Sequence, residues 1–249
     1  ALREAGITSL NFDLMYGLPR QDRAVLMDTL ERTVALRPDR IALFGYAHVP
    51  SVIPRQRRID ATDLPDEAER FAMAALGHDF LVAQGYQPVG FDHFARPGDP
   101  LAIAAREGRL HRNFQGFTDD ESDCLIGFGA SAISQFPALY TQNAKNAGAY
   151  RQAISAGRLA TERGVARDPE SRACGTLISD ILCHGRGELP ARLAPTQSEM
   201  LEEFVQRGLV TTGGGLLRLR PSAAPYARTI AAIFDPRLAG KIGSFSAPV

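Results

Sequence analysis

Ser9-Leu10-Asn11-Phe12-Asp13-Leu14-Met15-Tyr16-Gly17-Leu18-Pro19 is the stretch on which the fold turns. Leu10, Phe12 and Leu14 alternate with Asn11, Asp13 and Met15, a period of two that predicts a strand with one apolar and one polar face. Gly17-Leu18-Pro19 closes the strand in a tight turn. Residues 22–36 then place Leu26, Leu30 and Val34 on one helical stripe, and Arg37-Pro38-Asp39 breaks that helix. Ile41 to Tyr46 is a short apolar run of the kind that forms a buried parallel strand. Strand, helix and strand with short connections predict a βαβ unit and an α/β fold.

Outward from that unit, Pro65 opens a longer helix that Gly85 ends, and Tyr86 to Phe91 is extended. Arg109-Leu110-His111-Arg112-Asn113-Phe114-Gln115-Gly116-Phe117-Thr118 is polar and aromatic, without a helical period. Gly127-Phe128-Gly129-Ala130-Ser131-Ala132-Ile133-Ser134 is built mostly of small residues, which let a backbone approach a ligand or another backbone closely. The character changes around Gly157 to Val165, and a boundary is expected at 160/161. Asp168-Pro169-Glu170 starts a helix that continues through Cys174 to Cys183, and Gln197 to Arg207 forms a second. Leu209 to Thr212, a Gly213-Gly214-Gly215 turn and Leu216 to Leu219 make a small hairpin, and Tyr226 to Phe234 a last helix. Helices followed by a hairpin resemble a winged-helix unit.

The chain has 249 residues, 45% of them hydrophobic, enough for a real core and two domains. Lys+Arg and Asp+Glu both number 28, a balance that argues against a general nucleic-acid or anionic-membrane binder. From residue 160 on, eleven basic residues stand against nine acidic ones, so the C-terminal unit has no basic footprint for DNA either. No apolar run reaches the length of a membrane span, and no charged-then-apolar leader opens the chain. It begins with Ala1, which fits a processed or truncated product. Cys124, Cys174 and Cys183 suit a reducing, cytoplasmic location better than a disulfide framework. Iron–sulfur loops space their ligands by a few residues, so these three read as buried small hydrophobes. His48, His93 and His111 lack a metal-ligand spacing, and no metal site is expected.

Asp13 is the first candidate for chemistry. It would sit near the C-terminal end of a parallel strand, where ligands of a barrel gather. An unpaired buried carboxylate is costly, and a ribose diol or an α-amino group would pair with it. A structural aspartate capping the following turn accounts for the same residue, and the two readings stand open. Phe44, Tyr46 and His48 alternate around small Ala47, whose backbone is accessible to a purine edge; ordinary aromatic packing under a loop is the alternative. Arg55, Arg57 and Arg58 read as a solvated loop. Arg96 and Arg112 stand in segments bearing glycine or proline, beside His93 and Asn113, and guanidinium groups bind carboxylates bidentately.

Asn11 to Pro19, Tyr46-Ala47-His48, Asp92-His93-Phe94-Ala95-Arg96-Pro97 and Arg109 to Thr118 together resemble the oxygen-independent coproporphyrinogen III oxidases, a radical S-adenosylmethionine (SAM) family. The resemblance thins after about residue 165. Asp92 to Pro97 with His111-Arg112-Asn113-Phe114-Gln115-Gly116 is its most specific part, and the sister haem-chaperone branch differs there. The resemblance implies residues 1–160 as the C-terminal part of a partial (β/α)6 barrel with substrate-covering segments, and residues 161–249 as a mostly helical, winged-helix-like domain. Six βα units need about 190 residues, so only the last two strands or so would lie here. The loop of three close cysteines that holds the family's [4Fe–4S] cluster is not in this sequence, and is expected on an N-terminal portion.

The resemblance further implies two SAM molecules. Asp13 falls on a carboxylate that contacts the first; Ala47 and Ile133 fall on positions that contact the second, with Phe44 and Met15 as neighbours. Arg96, Arg112, His93 and Gln115 are weaker candidates for the substrate, coproporphyrinogen III. The implied reaction is oxidative decarboxylation of two propionates to vinyls by a 5′-deoxyadenosyl radical, giving protoporphyrinogen IX in haem synthesis. It requires an electron donor for the cluster and an electron acceptor. No residue here is assigned as catalytic, and a cytoplasmic monomer, inactive as this fragment alone, is expected. The alternative is a non-catalytic haem- or porphyrin-binding relative.

Overall fold

The computed structural model describes residues 1–236; the last part of the expected C-terminal domain, 237–249, lies outside the described residues. The opening unit forms as its pattern dictates. Strand β1 (Asn11–Tyr16) and strand β2 (Arg40–Gly45) pair in parallel around helix α1 (Arg23–Ala35). Asp22 caps α1 by accepting from the Val25 N–H, and Leu26 and Leu30 are fully buried. Each such leucine contributes about 2 kcal/mol by leaving water.

Helix α2 (Glu67–Ala83) starts two residues after Pro65, capped by Asp66. Its Gly77 lies against Leu43: a Cβ there would meet the leucine Cδ2 at 2.3 Å. The chain then forms an antiparallel pair, β3 (Gln87–Val89) and β4 (His93–Ala95), in place of another parallel unit. β4 runs antiparallel to β2, giving a sheet ordered β1-β2-β4-β3. Phe12, Leu14 and Tyr16 share a face with Ile41, Leu43 and Phe94, and the core beneath α1 and α2 draws on all of these but Phe12.

Helix α3 (Pro100–Glu107) follows, then a hairpin of β5 (His111–Asn113) and β6 (Gly116–Thr118), where the sequence shows only an irregular stretch. Strands β7 (Ile133–Phe136), β8 (Leu139–Asn143) and β9 (Thr161–Ala166) form an antiparallel meander, with helix α4 (Ala147–Ser155) between the last two. β9 therefore lies beyond the expected boundary at 160/161, yet it completes this sheet. The C-terminal unit opens at Asp168, which caps helix α5 (Pro169–His184). Strand β10 (Arg186–Glu188), helix α6 (Pro195–Gln206), strands β11 (Val210–Gly213) and β12 (Leu216–Leu219), and helix α7 (Ala227–Ala232) complete it. Gly214 and Gly215, at φ 59° and 78°, make the turn between β11 and β12, a backbone conformation L side chains resist. Three strands ordered β10-β12-β11 against three helices give the winged-helix-like form. Among the described residues, no helix is long and apolar enough to cross a membrane.

One ion pair ties β2 to α3. The Arg40 Nε donates to both carboxylate oxygens of Asp99, at 2.9 and 2.8 Å, while Asp99 also caps α3 through the Leu101 N–H. The Asp99 side chain is 4% exposed. Asp99→Ala would strip the cap and leave the arginine without its partner, and is expected to cost about 3 kcal/mol in urea denaturation; a loss near zero would show the pair to be replaceable by water. Burial pushes the Cys183 thiol up to about 11, although Ser179 and Arg112 favour the thiolate. At pH 8 only about one molecule in a thousand would carry that thiolate. A disulfide reagent should thus label exposed Cys124 rapidly and Cys183 slowly, with the slow rate rising about tenfold per pH unit up to the pKa; equal rates at pH 8 would contradict this burial.

Candidate functional site

The parallel register sets the site. Asn11, Asp13 and Met15 lie opposite Arg40, Ala42 and Phe44, so these six share the face turned away from α1 and α2. β4 adds His93 beside Ala42 and Ala95 beside Arg40. Asp13, Ala42 and His93 thus form one cross-strand row, with Asp13 and His93 two strand spacings apart, about 10 Å. The two halves of this face differ. Over β3 and β4, Val89 and Ala95 are buried with Leu101 and Ala102 of α3, Leu110 and Cys183. Over β1, Asn11, Asp13 and Met15 are exposed.

Asp13 does not cap the turn that follows it. The Leu18 N–H donates to Gln21 Oε1 at 3.1 Å, and Gln21 Nε2 returns to the Met15 carbonyl at 3.2 Å. The partner of Asp13 is Asn11, whose Nδ2 donates to Oδ1 at 2.7 Å.

Ala47 stands just past the C-terminal end of β2. The Tyr46 N–H donates to the Tyr16 carbonyl at 2.8 Å, and the Tyr46 carbonyl accepts from Arg70 Nη2 at 3.1 Å. Arg70 reaches there because Gly45 has no side chain: a Cβ would lie 3.2 Å from both the Arg70 guanidinium and the Tyr16 ring. Burial raises the Tyr16 phenol above its ordinary pKa, against the pull of Arg70. The Tyr46 and His48 rings are 6.1 Å apart, and Tyr46 Oη, His48 Nδ1 and Arg70 Nε are all buried without a hydrogen-bond partner among the described residues.

The hairpin supplies a second cluster. Phe117 of β6 meets the edge of His93 at 5.2 Å between centroids, and Phe91 at 5.7 Å. Gly90 makes room for it, since a Cβ there would lie 2.0 Å from the Phe117 ring and its φ is +63°. Arg112, exposed on β5, sits over the same ring at 5.9 Å. His93 Nδ1 is 2.6 Å from the Asp92 carboxylate. Gln115 is exposed at the hairpin turn, where its N–H donates to Asn113 Oδ1. Its neighbour Phe114 packs edge-on against Tyr140 at 5.0 Å. Ile133 lies in the meander, on the face it shares with Gln135, Tyr140 and Gln142. Its carbonyl is where the small-residue stretch comes close: a Cβ on Gly127 would meet that oxygen at 2.6 Å.

The structure therefore groups Asp13, Met15, Phe44 and Ala47 at one end of the sheet, and His93, Arg112 and Phe117 beside them. Arg96 is set apart. β4 runs antiparallel, so Arg96 follows Ala95 to the N-terminal end of β2, where its N–H donates to the Asp39 carbonyl. It lines a pocket of about 420 Å³ with Arg37, Tyr86 and Gln84 instead. Arg70, Phe117 and Gly90 are not among the residues the sequence singles out for the site; Phe117 stands in the polar and aromatic stretch Arg109 to Thr118, and nothing local marks the other two. Among the described residues, no group of three or more His, Cys, Asp or Glu side chains could hold a metal ion. Cys124, Cys174 and Cys183 are exposed, half-buried and buried respectively, and form no ligand set.

No family model matches the sequence. Curated relatives do. The chain is 41% identical over 246 residues to the oxygen-independent coproporphyrinogen III oxidase of Bradyrhizobium diazoefficiens, covering 95% of itself and 55% of that protein. To the protein of the same name from Thermostichus vulcanus it is 38% identical over 253 residues, covering 97% of itself and 78% of the relative. A solved structure of coproporphyrinogen III oxidase from Escherichia coli, described as a radical SAM enzyme, superposes with a TM-score of 0.86 at 36% identity, over 95% of this chain and 57% of that one. The chain thus spans about half the length of most of these relatives. Their identity and coverage match the α/β architecture built above, and the chain belongs to the oxygen-independent coproporphyrinogen III oxidase family.

Proposed function

We propose that the chain is the C-terminal part of an enzyme that oxidises coproporphyrinogen III without oxygen, and that the open half of its sheet, with the loop after β2, receives SAM. One observation carries this reading. Beside Ala47, at the end of an uncovered strand face, Tyr46 Oη and His48 Nδ1 are buried with no partner among the described residues. Each such atom costs about 1–3 kcal/mol unless something pairs with it. The nucleoside and amino-acid groups of SAM are rich in such partners, so these residues fit the cofactor. The three cysteines do not fit an iron–sulfur cluster, whose ligands we place outside this chain.

Each residue then has a part. Asp13, with Oδ1 engaged by Asn11, would meet a ribose diol or ammonium through Oδ2. Met15 and Phe44, opposite each other, supply an apolar wall, and Ala47 offers backbone to a purine edge. Ile133 would close the second SAM site from the meander, and Gln115, exposed on the hairpin, would meet the substrate. Arg112 and His93 face the propionates, Arg112 by a bidentate pair. When bound, SAM supplies a radical that takes hydrogen from the β-carbon of a propionate. The protein's share is to fix that carbon against it and to hold the carboxylate that leaves as CO₂. An electron donor for the cluster and an acceptor for the substrate electron complete the reaction.

Asp13→Ala in the complete enzyme is expected to weaken SAM binding about tenfold or more, the value of a charged hydrogen bond. Unchanged SAM affinity in equilibrium dialysis would remove Asp13 from the site. Arg112→Ala should raise KM for coproporphyrinogen III about tenfold, with a smaller change in kcat. A kcat loss at constant KM would instead place Arg112 outside substrate binding.

A further inference from the structure

β2 ends at Gly45, and the Tyr46 N–H makes the last bond to β1. From Tyr46 to Val49 the chain belongs to no strand or helix. Backbone groups in such a run are fixed only if side chains catch them. Gln56 catches two. Its Nε2 donates to the Ala47 carbonyl at 2.8 Å, and its Oε1 accepts from the Val49 N–H at 2.6 Å. The planar amide does what a residue of a neighbouring strand would do, one donor and one acceptor across a single residue. That residue is His48, whose Nδ1 is buried and has no partner among the described residues. Gln56 comes from the 3-10 turn Pro54–Arg58, where it is half-buried while Arg55, Arg57 and Arg58 are exposed. The arginines turn outward and the amide turns in.

We propose that Gln56 is a positioning residue for the cofactor loop, holding the Ala47–Val49 peptide planes in the geometry that binds the nucleoside of SAM. This rests on the reading of Ala47 given above. Gln56 touches no reacting atom; it acts through the backbone of Ala47. Its requirement is a donor at one end of the side chain and an acceptor at the other. A carboxylate keeps the acceptor for Val49 but sets an anion against the Ala47 carbonyl. Protonation restores the missing donor.

Gln56→Glu therefore makes a clamp that pH can open and close. The test is SAM affinity by calorimetry in the complete enzyme, at about pH 7.5 and about pH 5, on either side of a raised glutamate pKa. Exchange of the Val49 amide is followed by mass spectrometry as a readout without ligand. Gln56→Glu should bind SAM about tenfold more weakly than the parent at the higher pH and exchange Val49 faster. Both differences should vanish at the lower pH, whereas Gln56→Leu, with neither donor nor acceptor, should not recover. Parent-like affinity of Gln56→Glu at the higher pH, or a deficit that persists at the lower, overturns the proposal. Ala47→Val separates the two levels. If it weakens SAM while Gln56→Glu does not, only the role of Gln56 falls; if it leaves affinity unchanged, the reading of Ala47 falls and this proposal with it.

Discussion

Everything at this site depends on the parallel register of β1 and β2. With Asp13 opposite Ala42 and Met15 opposite Phe44, the polar face of one strand adjoins the mixed face of the other. A slip of one residue would turn Phe12 and Leu14 outward and bury Asp13 beneath α1. Burial of Leu26 and Leu30 against the opposite face holds the register, and so do three bonds outside the ladder. The N–H groups of Asp39 and Arg40 both donate to the Leu10 carbonyl at one end, and that of Tyr46 to Tyr16 at the other.

The C-terminal unit acts on this sheet as a second layer. α5 lends Cys183 to the core over β3 and β4, and Tyr226 lies between Phe71 of α2 and Phe204 of α6, at 5.5 and 6.1 Å. Arg228 of α7 sits over Phe91 at 5.7 Å. Phe91 also meets Phe117, so the helical unit supports from behind the same aromatic cluster that carries Arg112 and His93 in front. The C-terminal domain thus contributes packing to this sheet.

The parts legible in the sequence are those where one face is buried over several residues. Alternation from Leu10 to Met15, the Leu26–Leu30–Val34 stripe and the Gly213-Gly214-Gly215 turn each state their structure directly. The β5–β6 hairpin was illegible because three-residue strands show no period; its local signal is Asn113 and Gly116 flanking a two-residue turn. The meander was hidden because no face of it is buried over several residues: β7 and β8 are mostly half-buried, and β9 is exposed along its whole length. Arg96 and Arg112 are alike by residue type and neighbourhood. Only the antiparallel return of β4, a tertiary fact, sends one to each end of the sheet. Gln56 lay inside an arginine run that composition reads as surface, which three of its neighbours are.

The two clusters suit the two chemistries they are proposed to meet. Around Ala47 the groups are backbone amides, a phenol and an imidazole nitrogen, with the backbone held by Gln56 and Arg70. Such a set discriminates by geometry, as a neutral purine requires. At the hairpin the group is a cation held by a ring. Arg112 gains its place over Phe117 from the electron cloud of the ring, which leaves its N–H groups for a carboxylate. Being exposed, it retains most of its hydration, and a propionate can bind and leave without stranding a buried charge. A carboxylate that must depart as CO₂ is better served by a partner that tolerates its loss than by a buried one, so the weakness of an exposed pair is an advantage here.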